Sequence, residues 1–301
     1  MTPTTRHARS PRAATFVAAA LLAGTLAACA SAAASPSSGP GGSTILHPTG
    51  SGDLVLRYEE VGGFVAPEAQ LSRYAIVSIY GDGTVITLGP VPAIFPGPAM
   101  PNLVAGKLTE AGLQRLLVAA GTAGLLGPDA QYDATGIADA TTARFTVVAA
   151  GSRHVISAYA LREATSGMEG GPTVAAARAR LRAFADGLGD LRRTLGPEAV
   201  GPDGPYAYAA LRILVAAGAP PSGDPALARP PLAWALATSL ASFGAPGTGP
   251  TAGLRCGVVR GTDLEALRPL LARATQITGW ASGGSTYTLT LLPMLPDDPG
   301  C

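Results

Sequence analysis

Hydrophobic and polar positions first fall into a regular register at residue 54. Leu54, Leu56 and Tyr58 alternate with Val55, Arg57 and Glu59, which predicts a strand. Tyr74 to Tyr80 predicts a second strand, and Gly81-Asp82-Gly83 turns it into a third over Thr84 to Leu88. An Asp-Gly pair between β-rich runs is a hairpin signal, because both turn residues must accept positive φ. Pro90 to Pro101 then holds too many prolines for a helix or a ladder and predicts a loop. A helix opens at Thr109, with Leu113, Leu116, Leu117 and Ala120 on one face. Thr109 is placed to cap it, and Leu108 with Leu113 has the spacing of a hydrophobic staple. Arg144 to Ala149 and Arg153 to Tyr159 predict another hairpin around Ala150-Gly151. A longer helix follows from Val174 to Leu191, its apolar stripe being Val174, Ala177, Leu181, Phe184, Leu188 and Leu191. Arg178 and Arg182 read as part of its solvated face.

Gly196 to Pro205 is the best internal boundary. Beyond it, Tyr206 to Ala216 predicts a buried strand, with a helix as the other option, and 220–231 and 244–253 read as loops. Arg255 to Val259 is a short strand, and Thr262-Asp263-Leu264-Glu265 matches a capping box at the start of a helix that Pro269 either interrupts or opens as its true first turn. Thr286, Thr288 and Thr290 alternate with Tyr287, Leu289 and Leu291 in a final strand. The expected class is α+β: antiparallel β-hairpins packed against a few amphipathic helices. The length suits one large domain or two modest ones, 53–195 and 206–301.

The first 28 residues follow other rules. Arg6, Arg9 and Arg12 precede an apolar stretch from Ala13 to Gly24 that is too short to span a bilayer, and no acid occurs before Asp53. Leu26-Ala27-Ala28-Cys29 comes next, and this segment resembles the bacterial lipobox. The resemblance implies a signal peptide over 1–28 and a membrane-anchored lipoprotein whose Cys29 carries palmitate-type acyl chains. The expected location is the extracytoplasmic face of the cell membrane. An ordinary cleaved signal with an incidental cysteine, or a short anchor helix, is the rival reading. Residues 29–52, rich in Ala, Ser, Gly and Pro, read as a tether in which His47 is solvated. Arginine outnumbers lysine twenty to one, Lys107 being the single lysine, and Ala, Gly and Pro abound. With the lipobox, that makes the chain similar to actinobacterial-type secreted lipoproteins. Without 1–28 the chain carries 18 basic against 20 acidic side chains, so no nucleic-acid partner is implied.

With Cys29 assigned to lipid, Cys256 and Cys301 remain as an even pair in an oxidising compartment. Their pairing would stabilise the fold by about 4 kcal/mol; the other reading is a free, reactive Cys256. Beyond the leader, histidine is scarce: His47 and His154. The nucleophile-elbow pattern is absent, no His-Glu-x-x-His occurs, and no phosphate-binding glycine motif follows a strand. No metal and no cofactor is expected. Asp129, Asp133 and Asp139 share a loop but lack EF-hand spacing. Glu59 and Glu60 are neighbours on a strand and point to opposite faces.

Surfaces remain. Ile94, Phe95 and Met100 on the proline-rich loop are the candidate partner-binding residues, because stiff apolar loops lose little entropy on binding. The alternative is that they fold down to cover the sheet. Trp234 and Trp280 read as core. Val61-Gly62-Gly63-Phe64, followed by a hairpin, a helix and a second hairpin, loosely resembles emfourin-like inhibitor domains of metalloproteases. The expected function is therefore a non-catalytic binding or interaction protein of the cell envelope, its protein or envelope partner unknown. The alternatives are a protease-inhibitor-like domain, or a hydrolase using carboxylates among Glu59, Asp133, Asp139 and Glu163.

Overall fold

Period-two alternation builds two mostly antiparallel sheets in this computed structural model, which describes residues 44–163, 170–220 and 224–301. The lipobox and Cys29 lie outside the described residues. The first sheet contains β1 (Leu54–Gly62), β2 (Val77–Tyr80), β3 (Thr84–Leu88), β4 (Leu103–Lys107), β5 (Ala130–Tyr132), β6 (Thr141–Ala149), β7 (Ser152–Tyr159) and β8 (Gly204–Pro205). Their order across the sheet is β5-β7-β6-β1-β2-β3-β4-β8. A short helix, α1 (Pro67–Leu71), interrupts the path from β1 to β2.

The two expected hairpins form. Gly83 has φ +85°, and a Cβ there would lie 2.4 Å from the Leu108 carbonyl oxygen, so the turn into β3 requires glycine. Ala150 and Gly151 both have positive φ, the geometry of a two-residue turn between twisted strands.

Three helices cover one face of this sheet: α2 (Glu110–Ala123), α3 (Gly171–Leu188) and α4 (Leu191–Leu195). Thr109 Oγ1 accepts the Gly112 N–H, and Gly124 ends α2 in a left-handed conformation. The predicted stripe of α2 is buried against Val55, Val77, Ile79 and Phe145. The longer helix ends before its apolar stripe does. It breaks at Gly189, and Asp190 caps a new helix by accepting the Arg193 N–H at 2.9 Å. Leu191 still enters the same core, which is why the periodicity runs across the break.

Arg178 overturns the expectation of a solvated face. It is 2% exposed and donates to the carbonyl oxygens of Tyr132 (3.1 Å), Tyr159 (2.8 Å) and Ala160 (2.8 Å). These carbonyls sit where β5 and β7 end and lose their ladder partners, and the guanidinium fork replaces those partners. Arg182 does the same for Leu161 and Glu163. His47 is also not solvated. Its side chain is 5% exposed, with Nε2 3.1 Å from Glu110 Oε1. Beside it Ile45 exchanges two hydrogen bonds with the Gln114 side chain, so Ile45 and His47 are both held to α2.

The second sheet contains β9 (Ala210–Ala217), β10 (Leu232–Ala233), β11 (Ala245–Pro246), β12 (Arg255–Arg260), β13 (Gly279–Ser282) and β14 (Ser285–Pro293), in the order β10-β13-β14-β9-β12-β11. Helix α5 (Gly261–Leu271) covers one face, packing Leu264, Leu267 and Leu271 on Leu211, Ile213, Val215 and Trp280. No side-chain cap holds its start, because the helix springs directly from β12 and takes Thr262 into its first turn. The capping box is therefore not used. Trp280 is buried and Trp234 packs edge-on against it, as expected of core residues.

Two seams join the sheets. In one, the segment after β14 crosses to the helix-free face of the first sheet. There Leu295 packs with Tyr80, Ile86 and Leu103, while Asp297 accepts from Arg57 (2.8 Å) and Tyr80 (2.8 Å). Tyr74 and Tyr206 donate to the carbonyls of Pro293 and Met294. Tyr74 and Tyr206, expected in strands, are thus spent on this seam. Cys256 and Cys301 form a disulfide with Cα atoms 5.7 Å apart, so Cys256 is not a free thiol. The other seam is the proline-rich loop.

Candidate functional site

Five prolines within 90–101 fix φ along the loop and remove backbone donors, so side chains and neighbouring segments must hold it. At its neck the Gly89 N–H donates to Asn102 O (2.8 Å), and Asn102 Nδ2 donates to Pro90 O (2.7 Å). On its far side the chain reaches the second half of the protein. Gln276 N donates to Gly97 O (2.9 Å), Gly97 N donates to Gln276 Oε1 (3.3 Å), and Ala99 N donates to Ala274 O (3.0 Å). The Phe95–Pro96 peptide is cis.

Between these anchors the loop presents Val91 (67% exposed), Ile94 (64%) and Phe95 (65%). The covering role weighed for this loop holds only for Met100, which packs with Ala99 against the core of the second sheet. Ile94 and Phe95 stand out from the surface. Beneath the loop runs a groove of about 470 Å³, walled by Val91, Pro92, Ile94, Pro98, Met100 and Pro101 and floored by Thr288, Leu289 and Thr290 of β14. Thr275 and Gln276 close one side, and no charged residue lines it. The arrangement suits contact with an apolar or uncharged surface; its polar side chains are Ser72, Tyr74, Thr275, Gln276, Thr288 and Thr290.

Of the candidate carboxylates, Glu59 and Asp133 have side-chain partners, whereas Glu163 Oε2 is buried with none among the described residues. Glu59 pairs with Arg144 across the ladder (2.8 Å). Glu60 accepts from Tyr58 (2.9 Å) and Arg162 (3.0 Å), and Arg162 also holds Asp186 (3.0 Å). Burial, and then Glu60, push the Tyr58 hydroxyl up to about 12, so it remains a donor to Glu60. Asp133 accepts from Gln131, and Asp139 occupies a turn at φ +62°. Burial holds the Arg178 guanidinium below its usual range and the neighbouring Arg182 adds to this, with Glu163 and Asp133 opposing them as counter-charges. The structure thus brings Glu163 and Asp133 near one cation, not into an open cleft. Asp129 accepts the Val155 N–H (2.8 Å), and among the described residues no group of three His, Cys, Asp or Glu could hold a metal. His154 Nδ1 lies 2.7 Å from Gly127 O, a strand histidine bonded to a neighbouring loop.

The Arg57–Asp297–Tyr80 cluster was not anticipated from the sequence. Burial alone would lower the Arg57 guanidinium, but Asp297 outweighs it and raises it, while burial and then Asp297 hold the Tyr80 hydroxyl far above its ordinary value. Arg57 and Asp297 are 240 residues apart, and no local pattern links them. No family model, no curated protein and no solved structure matches the chain.

Proposed function

We propose that this chain is a non-catalytic binding protein, lipid-anchored through Cys29 on the extracytoplasmic face of the cell membrane, that recognises a protein or envelope component with the loop 90–101. The observation that supports the recognition role is the exposure of Val91, Ile94 and Phe95 at about two-thirds of their surface, on a loop hydrogen-bonded at both ends. A loop already held in place loses little conformational entropy when a partner covers it, and exposed apolar side chains in one place mark contact surfaces. The anchoring role rests on the basic start, the short apolar stretch and Leu26-Ala27-Ala28-Cys29.

Photo-crosslinking from position 95 on intact cells tests this reading. It expects a discrete crosslinked partner that is lost when Ile94 and Val91 are both replaced by Ser. Recovery of no partner, together with turnover of some substrate by the purified chain, would overturn it.

A second reading has one observation in its favour. Phe64 is 87% exposed at the end of the Val61-Gly62-Gly63-Phe64 run that resembles emfourin-like inhibitors. Secreted metalloproteases left fully active by a molar excess of the chain would remove it.

A further inference from the structure

The helices on the first sheet leave an apolar crevice that the recognition loop does not share. It has a volume of about 370 Å³ and is walled by Leu116, Ala119 and Ala123 of α2 and by Ala183, Phe184 and Leu188 of α3. Its origin lies in side-chain size. Leu116, Phe184 and Leu188 are buried in the core below, while Ala119, Ala183 and Gly187 are too small to close the gap above them. The volume falls in the range of small-ligand sites, and the lining is almost wholly hydrocarbon.

One charge belongs to this wall. Arg180 sits at one end of the α3 positions that line the crevice, and among the described residues no acid or carbonyl pairs with it. A hydrocarbon slot ending at an unpaired cation complements a molecule with one apolar tail and one negative head. Helix α2 is also where the described chain begins, through the two hydrogen bonds between Ile45 and Gln114. Fifteen residues separate Cys29 from Ile45, a reach of about 50 Å when fully extended. An anchor at Cys29 would thus keep Ile45 within that reach of a source of acyl chains.

We propose that the α2–α3 crevice binds a long-chain fatty carboxylate, its tail between the helices and its carboxylate on Arg180. Proximity to the supply rests on the anchoring reading; the crevice and its cation do not.

The test is a fluorescence titration of the full chain carrying Cys29→Ser, so that it bears no acyl group, with cis-parinaric acid as the probe. A saturable signal that palmitate displaces is expected. Ala183→Trp, which fills the slot, should abolish the signal. Ala119→Phe is measured in parallel in case the first variant does not fold by circular dichroism. Arg180→Glu should weaken binding of the acid at least tenfold, whereas the uncharged methyl ester should bind both proteins equally. No saturable signal in the parent, or equal signals in the parent and a folded filling variant, overturns the proposal. Mass spectrometry of the native N-terminus decides the anchor separately, because the titration uses chain without lipid.

Discussion

Replacing Cys301 by Ser, together with Cys256 by Ala to leave no buried thiol, removes a cross-link between residues 45 apart in sequence. In the chain-entropy model a closed loop of that length contributes about 4 kcal/mol at 25 °C by restricting the unfolded chain. The native side should change little. Asp297 keeps Arg57 and Tyr80, Leu295 keeps its core, and Arg212 still donates to Gly300 O at 3.0 Å. At ordinary per-residue unfolding entropies, a body of this size loses about 2 °C of Tm per kcal/mol, giving a fall of roughly 8 °C. Urea unfolding followed by fluorescence of the buried Trp280 reads the effect directly. The midpoint should drop, and the m-value should rise because the uncross-linked unfolded chain exposes more surface. A loss under about 1 kcal/mol would refute the reasoning, since the tail's other anchors would then already restrict the unfolded ensemble. A falling m-value would refute it too, by placing the effect in the native state.

Arg178→Met should cost about 3–5 kcal/mol in urea denaturation, because three strand-end carbonyls lose their donor inside the core; Arg178→Lys should restore only part, lacking the fork. Gly83→Ala should cost about 2 kcal/mol or more, since the new methyl meets the Leu108 carbonyl at a positive φ; thermal melts suffice to check it. The hydrogen bond from His47, and then that from Gln114, hold the Glu110 carboxyl below its usual range. That contribution is therefore complete above the ordinary glutamate pKa and is lost as pH falls through the lowered folded value. The Glu110 side of the contact is largely exposed and the pair is worth only about 0.5 kcal/mol, so its expected sign is local: faster hydrogen exchange at the Ile45 amide below pH 4.5, absent in Glu110→Gln.

The elements that local chemistry determines were legible in the sequence. The Asp-Gly and Ala-Gly turns require positive φ, and the Thr109 cap and the α2 stripe are periodic signals, so both hairpins and this helix could be read directly. The disulfide followed from counting cysteines. What failed depended on partners distant in sequence. β4, Leu-Val-Ala-Gly-Lys, has little strand character alone and forms because β3 offers it an edge. Tyr74 and Tyr206 have strand-like neighbours but are drawn to carbonyls near residue 294. Arg178 carried a signal that went unused: it lies four residues after Val174 and three before Leu181, on the stripe itself. Reading charge as solvent-facing hid it. At the proline-rich loop, the prolines marked stiffness, while the separate fates of Met100 and Phe95 depend on Gln276 and Ala274, some 180 residues downstream.

Both sheets finish in very short strands: three residues in β5 and two each in β8, β10 and β11, with Pro205 and Pro246 among them. An unpaired β-edge is a template on which another copy can add, and such stubs offer too few free amide groups for that. Two copies of the chain that meet edge to edge therefore find no ladder to extend. Blunt flanks let neighbours slide past one another without zippering, and leave the protruding loop as the part most apt to adhere.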